Sequence, residues 1–80
     1  MIQATFRITV PDGKREELLE VLFCLKGPTE VVQGCRAFQI LQDVEHENVL
    51  TCWEQWETQD HLEEHLRSER FRLLLPYIEM

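Results

Sequence analysis

The 80-residue sequence lacks paired cysteines, long apolar runs and an excess of basic residues. Its three cysteines are odd in number and show neither CxxC nor zinc-knuckle spacing, so they predict neither a disulfide framework nor a zinc motif. Three unpaired thiols are typical of a reducing compartment, where they act as small apolar fillers. We therefore expect an intracellular protein without a disulfide scaffold.

Positive charge is scarce, because 8 lysines and arginines stand against 15 acidic residues and give a net charge of −7. Such a chain does not attract a phosphate backbone. No apolar run approaches the roughly 20 residues that cross a bilayer, and the amino terminus lacks the basic-then-apolar order of a signal peptide. We predict a cytoplasmic protein that binds neither nucleic acid nor membrane.

Motifs of the common cofactor folds are also missing, since there is no glycine-rich phosphate loop, no Gly-x-Ser-x-Gly elbow and no dinucleotide fingerprint. One pair of histidines, His61 and His65, lies a helical turn apart in an HxxEH sequence, which can place two imidazoles on one zinc ion. Only fifteen residues follow His65, too few for the third ligand and surrounding domain of such a hydrolase. We therefore predict no metal site.

Apolar and polar residues alternate over residues 2–10 and predict a first strand. An amphipathic helix follows, with Asp12 as its expected N-cap and with Gly27 and Pro28 at its end. A separate short helical turn is predicted over residues 28–33, because proline suits a first helical position.

Two further strands are predicted over residues 35–45 and 49–57, and the short polar segment between them indicates an antiparallel hairpin. Thr58 is a good N-cap for a second helix. Ser68 could cap another helical segment, with Pro76 marking a kink or a fraying end.

The order strand, helix, strand, strand, helix predicts a single domain over residues 1–80 with a ferredoxin-like split βαβ fold of the α+β class. Helices should cover one face of an antiparallel sheet. The full plan has a last strand that is missing here, so either that strand lies outside these residues or another element, such as a partner subunit, takes its place. Because chains of this size bury only roughly 60% of their unfolded surface, we expect a homodimer.

The segment from Trp53 to Phe71 carries a signature of two tryptophans and two histidines. Its parts are, in order, Trp53-Glu54-Gln55-Trp56-Glu57-Thr58, His61-Leu62, His65-Leu66, Ser68-Glu69 and Phe71. This signature resembles the antibiotic biosynthesis monooxygenase (ABM) family of dimeric α+β barrel proteins, and the upstream segments agree in order over nearly the whole chain. The resemblance implies a homodimer whose sheets face each other, with a cavity between each sheet and its helices that holds a hydrophobic aromatic molecule.

The activity that the resemblance implies is oxygenation of an aromatic polyphenol or quinol by O₂ without metal or flavin, so no cofactor is expected. A deprotonated substrate can pass an electron to oxygen by itself. The protein must then supply a dry aromatic pocket, a proton acceptor and a donor that polarises the substrate oxygen.

The resemblance points to Trp56 at the strand end and His65 on the facing helix as catalytic residues. His65 is also the best-placed group that titrates near neutral pH. The remaining expected site residues bind substrate, two as aromatic walls and two as hydrogen-bond donors from the sheet, and they are Phe6, Phe71, Arg7 and Gln39.

Other readings stay open. The same cavity could serve a non-catalytic dimeric binding or regulatory domain, and either tryptophan alone could simply fill hydrophobic space. A heme-binding or heme-degrading relative is a weaker alternative, because such relatives carry an early-strand asparagine and the only one here is Asn48 in the hairpin. Arg67, Arg70 and Arg72 could hold an anionic ligand or pair with nearby glutamates.

Overall fold

A computed structural model describes residues 1–78. Its three strands are β1 (Ile2–Thr9), β2 (Cys35–Gln42) and β3 (Val49–Trp56), and its helices are α1 (Arg15–Glu30), α2 (Gln59–Leu66) and α3 (Glu69–Arg72), followed by a 3₁₀ turn over Leu75–Tyr77. The sheet is antiparallel with the order β1-β3-β2. The predicted α+β fold and its hairpin are therefore confirmed.

The strand register separates the sheet into two faces. In β1 and β3, Ile2 lies opposite Trp56 and Ile8 lies opposite Leu50; on this face, which the helices cover, Trp56, Ile8 and Leu50 are buried and Ile2 is partly buried. On the other face Thr5 lies opposite Trp53, which is only partly buried. The two tryptophans therefore point to opposite faces, as a spacing of three on a strand predicts.

The core lies between α1 and the helix-covered face of the sheet. Leu18 and Leu22 recur at helical spacing on α1 and pack in one cluster with Ile8, Phe38 and Leu50. Burying a large apolar side chain contributes about 1.5–3 kcal/mol, so this cluster fixes α1 across the sheet.

Helix α1 is continuous where the sequence predicts an end at Gly27 and Pro28. Proline has no N–H for the carbonyl of Cys24, but Cys24 is exposed, so water can bind that carbonyl. The expectation that all three thiols are apolar fillers is therefore wrong for Cys24. Leu25 and, one turn on, Thr29 are both buried, and this packing holds the last turn in helical conformation despite the lost hydrogen bond.

The start of α1 also differs from the prediction that Asp12 caps it. The helix begins at Arg15 after Lys14, with no side-chain cap. The backbone N–H of Lys14 donates to the carbonyl of Pro11 at 3.0 Å, and Gly13 adopts a φ of 75° in this turn. The turn moves Asp12 away from the free donors of the first helical turn.

Strand β2 ends at Gln42, three residues earlier than predicted. The Asp43 carboxylate accepts the backbone N–H groups of Glu45 at 2.8 Å and His46 at 3.0 Å, so a turn replaces the ladder here. These hydrogen bonds hold the pKa of Asp43 below its usual value. The amide of Gln42 donates to loop carbonyls, including that of Val49 at 3.3 Å, and closes the hairpin.

The described chain ends beside β1. Ile78 forms an isolated antiparallel bridge with Ile8, on the edge of β1 that does not face β3. The fourth strand of the split βαβ plan lies at that edge. Residues 1–78 contain three strands, and Ile78 occupies the position at which the fourth would pair.

Candidate functional site

Three polar side chains are buried together under the helices. Glu54 and Trp56 of β3 are 0% exposed, and His65 of α2 is 3% exposed. Alternate residues of a strand share a face, which brings Glu54 and Trp56 side by side. The indole Nε1–H of Trp56 donates to Oε1 of Glu54 at 2.9 Å. A carboxylate this deeply buried is rare in a protein core without a specific partner.

His65 reaches this cluster from the helix. Its ring stacks on Trp56, with 4.7 Å between ring centroids and 28° between ring planes. Its Nε2 lies 3.2 Å from Oε1 of Glu54, at ion-pair distance, but the N–H direction is too bent for a hydrogen bond. The contact is therefore electrostatic. A carboxylate beside Nε2 favours the tautomer protonated there, which leaves Nδ1 as an acceptor.

Helix α2 is positioned by contacts at its first turn. The Thr58 hydroxyl accepts the backbone N–H of His61 at 3.2 Å, as its predicted N-cap role requires. The His61 ring lies directly against Gly34, where a Cβ atom would overlap it. The Gly34 carbonyl accepts the backbone N–H of Glu57 at 2.8 Å. These contacts set where His65, one turn further along, meets the sheet.

Several buried polar atoms around His65 have no hydrogen-bond partner within residues 1–78. They are Oε2 of Glu54, both ring nitrogens of His65 and Nε of Arg70. Each unsatisfied buried group costs about 1–3 kcal/mol, and native proteins keep few of them. Their concentration in one place marks this region as the candidate site.

A narrow cavity lies beside His65. Its polar wall residues are His65, Arg70 and Thr29, and its apolar wall residues are Leu25, Phe38, Phe71 and Leu74. It has no room for a water molecule, whereas typical ligand pockets measure roughly 300–1,000 Å³. The site is closed in this conformation.

A larger depression elsewhere does not form a site. It is lined by five residues of α1 alone, namely Glu16, Leu19, Glu20, Phe23 and Cys24. One helix cannot enclose a ligand, so this depression is an open surface.

Four of the six expected site residues come together in a chain of rings. His65 stacks on Trp56 and meets Phe71 edge-on at 5.3 Å between centroids, and Phe71 meets Phe6 at 5.0 Å. Of these, His65 and Phe71 line the cavity, whereas Trp56 and Phe6 pack behind them.

Arg7 and Gln39, expected as donors from the sheet, lie on the opposite face. Arg7 pairs with Thr51, and Gln39 pairs with Trp53, which points away from Trp56. Cross-strand partners share a face, so neither side chain reaches the cavity of its own chain. The structure therefore places both residues on the face of the sheet that the helices do not cover.

Two groups at the site were not singled out from the sequence. Glu54 has the same strand parity as Trp56, a signal that could have identified it as a neighbour. Arg70 is one of three arginines close together in the sequence, and no sequence pattern distinguishes it from Arg67 and Arg72.

The thiols do not take part in this site. Burial and the charge of Glu54 raise the pKa of Cys52 to about 12. Burial, followed by Glu54, also raises the pKa of Cys35. Both therefore stay protonated near neutral pH and are poor nucleophiles.

The two histidines of the HxxEH sequence face different partners. His61 Nδ1 lies 2.8 Å from the Thr58 hydroxyl, whereas His65 faces Glu54. Among residues 1–78 no group of three or more His, Cys, Asp or Glu side chains could hold a metal ion.

Within the same range, each helix is too short or too polar to cross a membrane.

The sequence of residues 1–74 matches the family model described as antibiotic biosynthesis monooxygenase. The chain belongs to the ABM family. A search of curated proteins finds no match.

Solved structures share the ABM fold. A conserved protein from Methanosarcina mazei Go1 is 23% identical with a TM-score of 0.85, over 98% of this chain and 81% of that one. A Pseudomonas aeruginosa protein is 24% identical with a TM-score of 0.81, over 98% and 83% of the two chains. An antibiotic biosynthesis monooxygenase is 18% identical with a TM-score of 0.85, over 100% and 88%. Likeness at these identities shows the fold alone.

Proposed function

We propose that this ABM protein is a cofactor-independent monooxygenase that oxygenates an aromatic polyphenol or quinol with O₂ at the cavity beside His65. The observation that supports this function is the buried contact of His65 with Glu54 at 3.2 Å. It combines a proton acceptor, a carboxylate and aromatic walls in a dry site, which is what the chemistry needs.

In the proposed reaction, His65 Nδ1 accepts the phenolic proton, and Glu54 stabilises the imidazolium that forms. The phenolate spreads its charge to the ring carbon opposite the oxygen, and this carbon passes one electron to O₂. The two radicals combine into a carbon-bound peroxide, which His65 protonates. The hydroperoxide then loses water, which takes its outer oxygen and the hydrogen of that carbon, and a quinone is left. In total, phenol and O₂ give quinone and water, and each product receives one of the two atoms of O₂.

Trp56 and Glu54 serve as positioning residues in this scheme. Neither lines the cavity, and both hold His65, Trp56 by stacking and Glu54 by charge. His65 is the catalytic residue because it alone of the three reaches the cavity wall.

Entry of a substrate requires the cavity to widen. The wall that carries Arg70 and Phe71 belongs to α3, which is four residues long, and Leu73 and Leu75 just after it are exposed. A four-residue helix that is anchored by the buried side chains of Phe71 and Leu74 is the shortest element of the wall and opens at least cost. We propose that α3 moves away from α1 when a ligand enters.

A second candidate function is a non-catalytic binding or regulatory domain. The observation that favours it is the closed cavity, which has no room even for a water molecule, since a substrate pocket is expected to be largely formed beforehand. In that case the buried cluster stabilises one fixed orientation of α2 and performs no reaction.

Oxygen uptake tests the two functions against each other. We expect the wild-type protein to consume oxygen with anthrone-like phenols or quinols faster than the Trp56→Ala, His65→Ala double variant. His46→Ala, in the exposed hairpin, is the matched control and should retain the wild-type rate. A wild-type rate equal to that of the double variant would leave only the binding function.

We also propose that the protein is a cytoplasmic homodimer joined through the helix-free face of the sheet. Trp53 lies on the central strand of this face and is only partly buried in one chain. Light scattering should give twice the mass of one chain, and Trp53→Asp should halve it, whereas Phe23→Asp on the outer surface of α1 should not. A wild-type mass of one chain would contradict the dimer.

A further inference from the structure

Arg70 lies in the wall of the cavity that His65 and Phe71 also line. Its Nε is buried and has no hydrogen-bond partner within residues 1–78. No carboxylate in that part of the chain lies within ion-pair distance of its guanidinium. A permanent cation thus borders a mostly apolar cavity, and residues 1–78 place no anion beside it.

Other arginines of the chain are placed differently. Arg67 and Arg72 flank Arg70 in sequence and are exposed to solvent. Arg36 is exposed and pairs with Glu57 at 2.9 Å. Arg70 is partly buried, and its Nε–H is a buried donor without an acceptor, which is costly, so an anionic acceptor supplied from outside the described chain would be bound favourably there.

The groups on the cavity wall define what that anion is. His65 Nδ1 can accept a proton, and Nε–H of Arg70 can donate to the oxygen that is left negative. Leu25, Phe38 and Phe71 offer a flat apolar surface between the helix and the sheet. A ligand that satisfies all of them is an aromatic ring with one ionisable hydroxyl.

We propose that Arg70 binds the phenolate oxygen of the ligand and selects aromatic molecules whose hydroxyl ionises in the cavity. This inference rests on the proposed function, in which His65 removes the phenolic proton. Arg70 supplies the oxygen-polarising donor that the sheet residues do not. Arginine suits this role because it stays charged at any relevant pH and directs its donors in a fixed plane.

The experiment uses 4-nitrophenol, whose phenol and phenolate forms absorb at different wavelengths, and its methyl ether 4-nitroanisole, which cannot ionise. We expect wild-type protein to bind both and to favour the phenolate form of bound 4-nitrophenol. Arg70→Met should weaken phenolate binding about tenfold or more while 4-nitroanisole binds as before. Arg70→Lys should restore only part of the phenolate signal, and Arg72→Met should behave as wild type.

The outcomes separate this inference from the proposed function. If Arg70→Met binds phenolate as tightly as wild type, the role of Arg70 is wrong although the monooxygenase can still be right. If phenolate binding depends on Arg70 but no oxygen is consumed, Arg70 recognises a ligand and the oxygenation fails. Wild-type protein that binds neither probe would overturn both.

Discussion

The imidazole of His65 and the indole of Trp56 stack at 4.7 Å between centroids, one ring from a helix and the other from the central strand. The stack packs α2 against the end of β3. Both rings also lie next to the same oxygen of Glu54, the indole at 2.9 Å and the imidazole at 3.2 Å. The orientation of His65 therefore depends on an aromatic surface and on one negative charge, which substitutions can remove separately.

Removing the charge of Glu54 is the first test of this arrangement. Glu54→Gln keeps the shape of the side chain but no longer stabilises an imidazolium on His65. We expect oxygen uptake to fall about 10- to 100-fold, the loss associated with a hydrogen bond or contact to a charged group. The measurement is the steady-state rate with an anthrone-like substrate.

Glu57→Gln is the matched control, because Glu57 is exposed and pairs with Arg36 on the surface. It should leave the rate within twofold of wild type. An unchanged rate in Glu54→Gln would show that the charge of Glu54 has no part in the reaction.

Substitution of Gly34 tests how α2 is positioned. Gly34 has a φ of 90°, and a Cβ there would overlap the His61 ring. We expect Gly34→Ala to lower the free energy of unfolding by about 1–3 kcal/mol and to displace α2. Urea unfolding measures the stability, and oxygen uptake should fall with the misplacement of His65.

Gly27→Ala provides the control. Gly27 lies inside α1, and apart from its chain neighbours no atom lies within 4 Å of the added Cβ. Alanine there should change the free energy of unfolding by less than about 1 kcal/mol, because its better helix propensity is offset by the crowding of its Cβ against the following Pro28. Equal effects of the two substitutions would mean that the contact with His61 does not determine the stability at Gly34.

The buried thiol of Cys52 predicts a loss of stability at high pH. Its pKa rises to about 12 in the folded protein from 9.0, so the unfolded chain releases the proton first as the pH increases. The stabilising contribution of the protonated thiol is complete below pH 9.0 and declines towards about pH 12. Urea unfolding at pH 7 and pH 10 should show a smaller loss in Cys52→Ala than in wild type. Equal losses would contradict the raised pKa.

Local patterns predicted much of the fold. Alternation in β1 set its two faces, and Thr58 and Ser68 cap their helices because a cap needs only residues within one turn. Strand parity alone could also have excluded Arg7 from a site that includes Phe6, since adjacent strand residues point to opposite faces.

Other features depend on contacts between distant segments. The continuity of α1 through Pro28 depends on the burial of Thr29 against the core, which no local pattern records. Arg70 differs from Arg67 and Arg72 by the cavity beside it, and that cavity forms between α1, β2, α2 and α3. A single sequence does not show which of three nearby arginines has a buried Nε.

Oxygen-isotope labelling tests the central claim most directly. With ¹⁸O₂ and an anthrone-like phenol, wild-type protein should give a quinone that carries one ¹⁸O atom, with the second atom in water. His65→Gln, which keeps a polar side chain but cannot accept the proton, should form this product at least about a hundredfold more slowly. The control is His46→Gln, in the exposed hairpin, which should match wild type. Labelled quinone formed equally fast by His65→Gln and wild type would contradict His65 as the proton acceptor.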